Sequence, residues 1–213
     1  MISRDGLLML RLALLLCCFL LVVPSYALES SILIVGDSIS AGYGMEQEQG
    51  WVYLLNQRLS KNSIQYKVIN LSISGETTGG GLLRLPQAIQ RHQPKIIIIE
   101  LGGNDGLRGY PIDRIRRNLH QMVSISKDTG ADVLLVGMML PPNYGRRYSE
   151  SFQQTFTDVA EDLKVSLLPF LLEGVATHED LMQRDGIHPN PSAQKMLLDN
   201  IWPVITELLD EAS

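Results

Sequence analysis

A chain of 213 residues with 23 Asp plus Glu against 18 Lys plus Arg is moderately acidic, at a formal net charge of −5. Without a basic run, such a balance makes a poor nucleic-acid binder. The 2 cysteines, Cys17 and Cys18, are adjacent in an N-terminal leader, so the mature chain can offer neither a disulfide nor a cysteine nucleophile.

In chain order, Arg4 and Arg11 precede the apolar run Leu12 to Val23, which stops at Pro24 and Ser25-Tyr26-Ala27. These features predict a signal peptide over 1–27, cleaved after Ala27. The run is too short to span roughly 30 Å of hydrocarbon at about 1.5 Å per residue, and Ser25 and Ala27 suit a signal peptidase better than a retained anchor. Lipoprotein processing at Cys17 or Cys18 fits less well, because bulky leucines or another cysteine precede them. Losing Arg4, Arg11 and Asp5 with the leader makes the mature chain one unit more acidic. Residues 28–213 match the size of a single domain able to bury a sizeable core.

Ser31 to Gly36 reads as a short buried strand, four apolar residues ending at a glycine. Tyr66 to Leu71, Ile96 to Leu101 and Val133 to Met138 share its character, and the weaker Val165 to Leu168 stops at Pro169. Between them, helical spacing recurs at Trp51, Leu54, Leu55 and Leu59. It returns at Ile112, Ile115, Leu119, Met122, Val123 and Ser126, and again at Phe152, Phe156, Val159 and Leu163. Gly79-Gly80-Gly81 reads as a flexible point before a helix carrying Leu82, Leu83 and Leu85, and a last helix runs from about Pro191 to Leu209. Apolar strands alternating with helices predict a parallel sheet covered on both faces, a three-layer α/β/α sandwich.

Ligands of such open sheets bind beyond the carboxyl ends of the strands. The segments there are Gly36-Asp37-Ser38-Ile39-Ser40, Ser72-Ile73-Ser74-Gly75-Glu76, Gly102-Gly103-Asn104-Asp105, Pro141-Pro142-Asn143-Tyr144-Gly145 and, before the last helix, Asp185-Gly186-Ile187-His188-Pro189. Ser38, two residues past a strand, is placed to present its hydroxyl, although alone it reads equally well as a helix cap. A serine needs a base. His92 and His120 fall on polar helix positions and His178 in an acidic stretch, whereas His188 lies in a tight turn three residues after Asp185. That spacing lets the carboxylate fold back on the imidazole and fix its tautomer. The backbone N–H of Ser38, the N–H of Gly75 and the side-chain amide of Asn104 are candidate donors for a developing oxyanion.

Together these segments resemble the SGNH hydrolase superfamily, also called the GDSL family, named for Ser, Gly, Asn and His, which here are Ser38, Gly75, Asn104 and His188. The resemblance implies that Ser38 is the nucleophile, that Gly75 and Asn104 complete the oxyanion hole, and that Asp185 and His188 form the Asp-x-x-His block. Ile39 stands where the family usually has leucine, an apolar exchange of similar volume. Four blocks look like its multifunctional periplasmic thioesterase/lysophospholipase/arylesterase subgroup: Gly36 to Tyr43, Glu100 to Gly109, Leu140 to Tyr148 and Asp185 to Asn190. That likeness implies a flavodoxin-like five-stranded sheet, no metal or organic cofactor, and hydrolysis of fatty acyl thioesters, lysophospholipids and aryl esters.

The expected partner is therefore a small acyl ester or thioester, with the enzyme a periplasmic or secreted monomer free of any stable membrane anchor. The Leu140 to Tyr148 loop, with Tyr144, and the Leu107-Arg108 segment are candidate linings of an acyl groove. Two other readings remain at this level: a carbohydrate O-acetylesterase of the same superfamily, and an exported ligand-binding module in which Ser38 merely caps a helix. Phosphate-loop and zinc-protease spacings are missing.

Overall fold

The computed structural model describes residues 30–211, so the expected leader over 1–27 lies outside the described residues. The run of apolar side chains at Ile32 to Val35 forms the heart of β1 (Ser31–Gly36), buried at every position. On one side β1 pairs with β2 (Lys67–Asn70) and on the other with β3 (Ile96–Glu100); β4 (Asp132–Val136) and β5 (Ser166–Leu168) extend the sheet. All four pairings are parallel and the order is β2-β1-β3-β4-β5. This is the flavodoxin-like order, and its direction of winding reverses between β1 and β3.

Among the described residues seven α-helices accompany the strands, the last of them after β5: α1 (Ser38–Ala41), α2 (Trp51–Lys61), α3 (Thr78–His92), α4 (Gly103–Leu107), α5 (Ile112–Lys127), α6 (Arg146–Leu163) and α7 (Gln194–Glu211). Because strand side chains alternate, each strand serves two cores. Ile32, Ile34, Ile96, Ile98, Leu134 and Val136 pack against Trp51, Leu55 and Leu59 of α2 and against Leu197, Leu198, Ile201 and Ile205 of α7. Leu33, Val35, Ile97, Ile99 and Leu135 meet α3, α5 and α6 through residues such as Leu85, Leu119, Met122 and Phe156. No helix among the described residues is long and apolar enough to cross a membrane.

Three sequence expectations need correction, and one element went unpredicted. Gly79-Gly80-Gly81 does not precede a helix; it lies in the first turn of α3, whose N-terminus is capped by the Thr77 hydroxyl accepting from the Gly80 N–H at 3.2 Å. The small residues serve packing, since a Cβ on Gly81 would overlap Leu101 and press on Met122. The second strand is shorter than Tyr66 to Leu71 and is not fully buried: as an edge strand it has one neighbour, leaving Val68 and Ile69 half-buried and Lys67 and Asn70 exposed. The Leu140 to Tyr148 segment is only partly loop, with a 3-10 turn at Pro142–Tyr144 and α6 beginning at Arg146. Finally α4, five residues with too little periodicity to predict, carries Asn104 in its first turn.

Candidate active site

Beyond the carboxyl end of β1 the chain turns directly into α1, and the cap of that helix is Asp37, not Ser38: the Asp37 carboxylate accepts from the Ile39 N–H at 3.0 Å. The Ser38 hydroxyl is thereby released from capping. It instead lies 2.8 Å from His188 Nε2.

His188 comes from the other end of the chain, on a loop folded back on itself. Its Nδ1 is 2.6 Å from Asp185 Oδ2, while Asp185 Oδ1 accepts from the N–H groups of Ile187 and His188 at 2.9 and 3.0 Å. Burial pushes the Asp185 carboxyl up, but the bonds from the His188 N–H, the imidazole and the Ile187 N–H outweigh it and bring it down to about 2. An ionised carboxylate can only accept, so Nδ1 carries the proton and Nε2 keeps a lone pair for the Ser38 hydroxyl. Tyr43 packs on the imidazole with ring centroids 4.5 Å apart, flanking the face of the base.

The two remaining predicted positions, Asn104 in the first turn of α4 and Gly75 in the loop after β2, adjoin the Ser38 turn. Asn104 Nδ2 donates to Asp37 Oδ2 at 3.1 Å, which leaves its second amide hydrogen unused by that bond. Gly75 belongs to the loop after β2, tied at one side by the Ile73 N–H on the Gly36 carbonyl at 3.1 Å. At its other side, Thr78 donates through its N–H and hydroxyl to the buried Asp105 of α4 at 2.8 and 2.6 Å. Gly75 has φ +79, a left-handed conformation suited to glycine, and its carbonyl accepts from Arg108 Nη2 at 3.2 Å. Among the described residues neither the Ser38 nor the Gly75 N–H has a main-chain acceptor. The geometry can thus deprotonate an alcohol and offer amide donors to a nearby oxyanion.

Sequence reasoning passed over the groups beneath this turn. Glu100 ends β3 inside an otherwise apolar strand and is 1% exposed, accepting on one oxygen from the Asp37 N–H at 3.2 Å and the Ser40 hydroxyl at 2.7 Å. Burial, then the charge of Asp37, pushes its carboxyl well above the usual range. Asp37 is likewise raised by burial, to about 6, against the pull of the Ile39 N–H, His188 and Asn104. A charged residue closing an apolar strand was the available signal for Glu100; for Asp37 it was the acid directly before the serine.

The candidate groove residues divide. Tyr144 lines an open cleft of about 490 Å³ together with Ile112, Arg146, Arg147, Tyr148 and Ser151, and its hydroxyl donates to the Leu107 carbonyl at 3.0 Å. Leu107 and Arg108 do not line that cleft. Of the other histidines, His120 bonds Asp162 at 3.0 Å between α5 and α6.

A three-layer fold of this order with a serine–histidine–aspartate hydrogen-bond chain at its switch point is an arrangement suited to an α/β ester hydrolase. Residues 34–196 match the GDSL-like Lipase/Acylhydrolase family, and the chain belongs to it. It is 48% identical over 193 residues to the esterase TesA of Pseudomonas aeruginosa, covering 91% of this chain and 96% of that protein. It is 43% identical over 173 residues to the thioesterase 1/protease 1/lysophospholipase L1 of Escherichia coli, covering 81% and 82%. Among solved structures it is similar to the psychrotrophic esterase EstA from Pseudoalteromonas sp. inhibited by monoethylphosphonate, with TM-score 0.82 and 42% identity over 85% of this chain and 99% of that one.

Proposed function

We propose that this ester hydrolase cleaves acyl esters and thioesters, including fatty acyl thioesters, lysophospholipids and aryl esters, through an acyl-enzyme on Ser38. The observation carrying the reading is the continuous chain from Asp185 through His188 to the Ser38 hydroxyl, with separations of 2.6 and 2.8 Å. His188 takes the Ser38 proton as Oγ attacks the acyl carbonyl; the tetrahedral oxyanion is held by the N–H groups of Ser38 and Gly75 and by Asn104. The same imidazole gives its proton to the leaving oxygen or sulfur. It then removes a proton from water as the water attacks the acyl-enzyme, and delivers that proton to the departing Ser38 Oγ as the acid is released.

A thiol leaving group needs no help beyond that proton, so nothing in this scheme separates esters from thioesters. The acyl chain is assigned to the surface near Leu107, Arg108 and Tyr144, where burial contributes about 0.8 kcal/mol per methylene. The leader sequence supports export and cleavage after Ala27 into the periplasm.

Ser38→Ala is expected to lower kcat on a p-nitrophenyl ester by about four powers of ten, and Asn104→Ala by about two to three. Near-normal turnover by purified Ser38→Ala would overturn the reading.

A further inference from the structure

The loop that carries the base is complete in itself. Asp185 bonds His188 twice and the Ile187 N–H once within it, Met182 and Pro189 bridge across its base, and the Gly186 N–H closes the turn on the Gln183 carbonyl at 2.9 Å. None of these contacts fixes where the loop stands relative to the nucleophile, some 150 residues earlier in the chain.

Gln183 does. Its main-chain N–H donates to the His188 carbonyl at 2.7 Å. Its side-chain Nε2 donates to the Tyr43 carbonyl at 2.7 Å and to the Pro189 carbonyl at 3.2 Å. The Tyr43 N–H in turn donates to the Ser38 carbonyl at 3.0 Å. Two bonds from Gln183, to the His188 and Tyr43 carbonyls, and the one from Tyr43 to Ser38 therefore link the backbone of the base to the backbone of the nucleophile. The neighbouring Gly44, at φ +74, leaves room for that amide: a Cβ there would overlap Gln183 Oε1. Gln194, fully buried, makes a separate tie from the Trp51 N–H to the Asn190 carbonyl, at the root of the loop.

The geometry points to Gln183 as a positioning residue that sets the separation of the His188 imidazole from the Ser38 hydroxyl. The inference rests on the proposed function, since it gives Gln183 a task only if those two groups react. Misplacement of a reacting pair by about 1 Å can cost on the order of a hundredfold in rate. Because the Asp185–His188 bonds lie inside the loop, losing the Gln183 amide leaves the base correctly protonated and moves it as a unit.

The test compares wild type with Gln183→Met, which keeps length without a donor, and Gln183→Glu, which sets an acceptor against two carbonyls. kcat and KM are measured on a p-nitrophenyl ester, the rate of Ser38 labelling by an aryl phosphonate is followed by mass spectrometry, and the low-field Nδ1 proton of His188 by NMR. Both variants are expected to lose about ten- to hundredfold in kcat and in labelling rate, with KM within about twofold and the Nδ1 resonance retained. Wild-type rates in the folded variants, or a melting-point drop without a kcat change, would overturn the inference. Gly44→Ala, pressing on the same amide from the other side, should reproduce the loss of rate. If wild type itself fails to label at Ser38, the proposed function falls first and Gln183 has no such role.

Discussion

At the scale of the residue, the site is a set of carboxylates sorted by their surroundings. Asp185 is about one-third exposed at 38% and sits among three donors, so its carboxyl drops from 3.8 to about 2. Asp37 and Glu100 are buried and shift the other way. The depressed group implies a direction for stability: the unfolded chain binds the Asp185 proton more readily, so the contribution is present above about pH 4 and lost as pH falls through about 2. Asp185→Asn removes it. Melting temperatures of wild type and Asp185→Asn should therefore differ near neutral pH and converge as pH is lowered across that window; a gap that stays constant would show that the carboxylate's bonds add nothing to folding. Ser38, Asp185 and His188 were legible because each stands in a short block of small residues after a strand or in a tight turn. Gln183 was not, since a glutamine one residue from an arginine has no local pattern, and its partner Tyr43 lies 140 positions away.

At the scale of the element, packing decides where Asn104 stands. The helix α4 is short because three of its flanking and internal positions are glycine, and those glycines let it settle on aromatic rings of α6. A Cβ on Gly102 would come 3.0 Å from Phe156 Cζ, and one on Gly106 would come 2.9 Å from Phe152 Cε2. The two rings meet edge to face at 5.3 Å, and both are buried. Phe152→Ala is expected to cost about 3–5 kcal/mol in urea unfolding. Because α4 loses its floor, kcat of the folded variant should also fall, by roughly tenfold. Unchanged kcat would separate the aromatic pair from the amide it supports. The same logic explains Gly81 among the misread glycines of α3, which lies against Leu101 and Met122, a contact invisible in a window that records only flexibility.

At the scale of the whole molecule, the reversal of winding between β1 and β3 opens the rim where the loops after β1, β2 and β3 converge. Register brings Gly36 opposite Glu100, so the nucleophile turn and the Asn104 turn begin side by side. The return of the chain after β5 lets the His188 loop close over that rim before α7 packs against α2. Export belongs to this scale too. When the full chain is expressed with a functional secretion machinery, mass spectrometry of the exported protein should find an N-terminus at Leu28; an intact leader on the exported protein would refute cleavage after Ala27.

Periodicity, composition and short motifs were enough to define alternating strands and helices, a sheet covered on both faces, and the blocks holding the serine, aspartate and histidine that the fold brings together, because those properties are local. Only the tertiary structure decided that Asp37 rather than Ser38 caps α1, that Asp37 holds the Asn104 amide, that Glu100 lies under the nucleophile turn, and that Gln183 spans from base to nucleophile. Except for the Asp37 cap, which bonds Ile39 two residues on, each of these is a contact between residues far apart in the chain. Such contacts are set by how the elements pack, and packing leaves no period in the sequence to read.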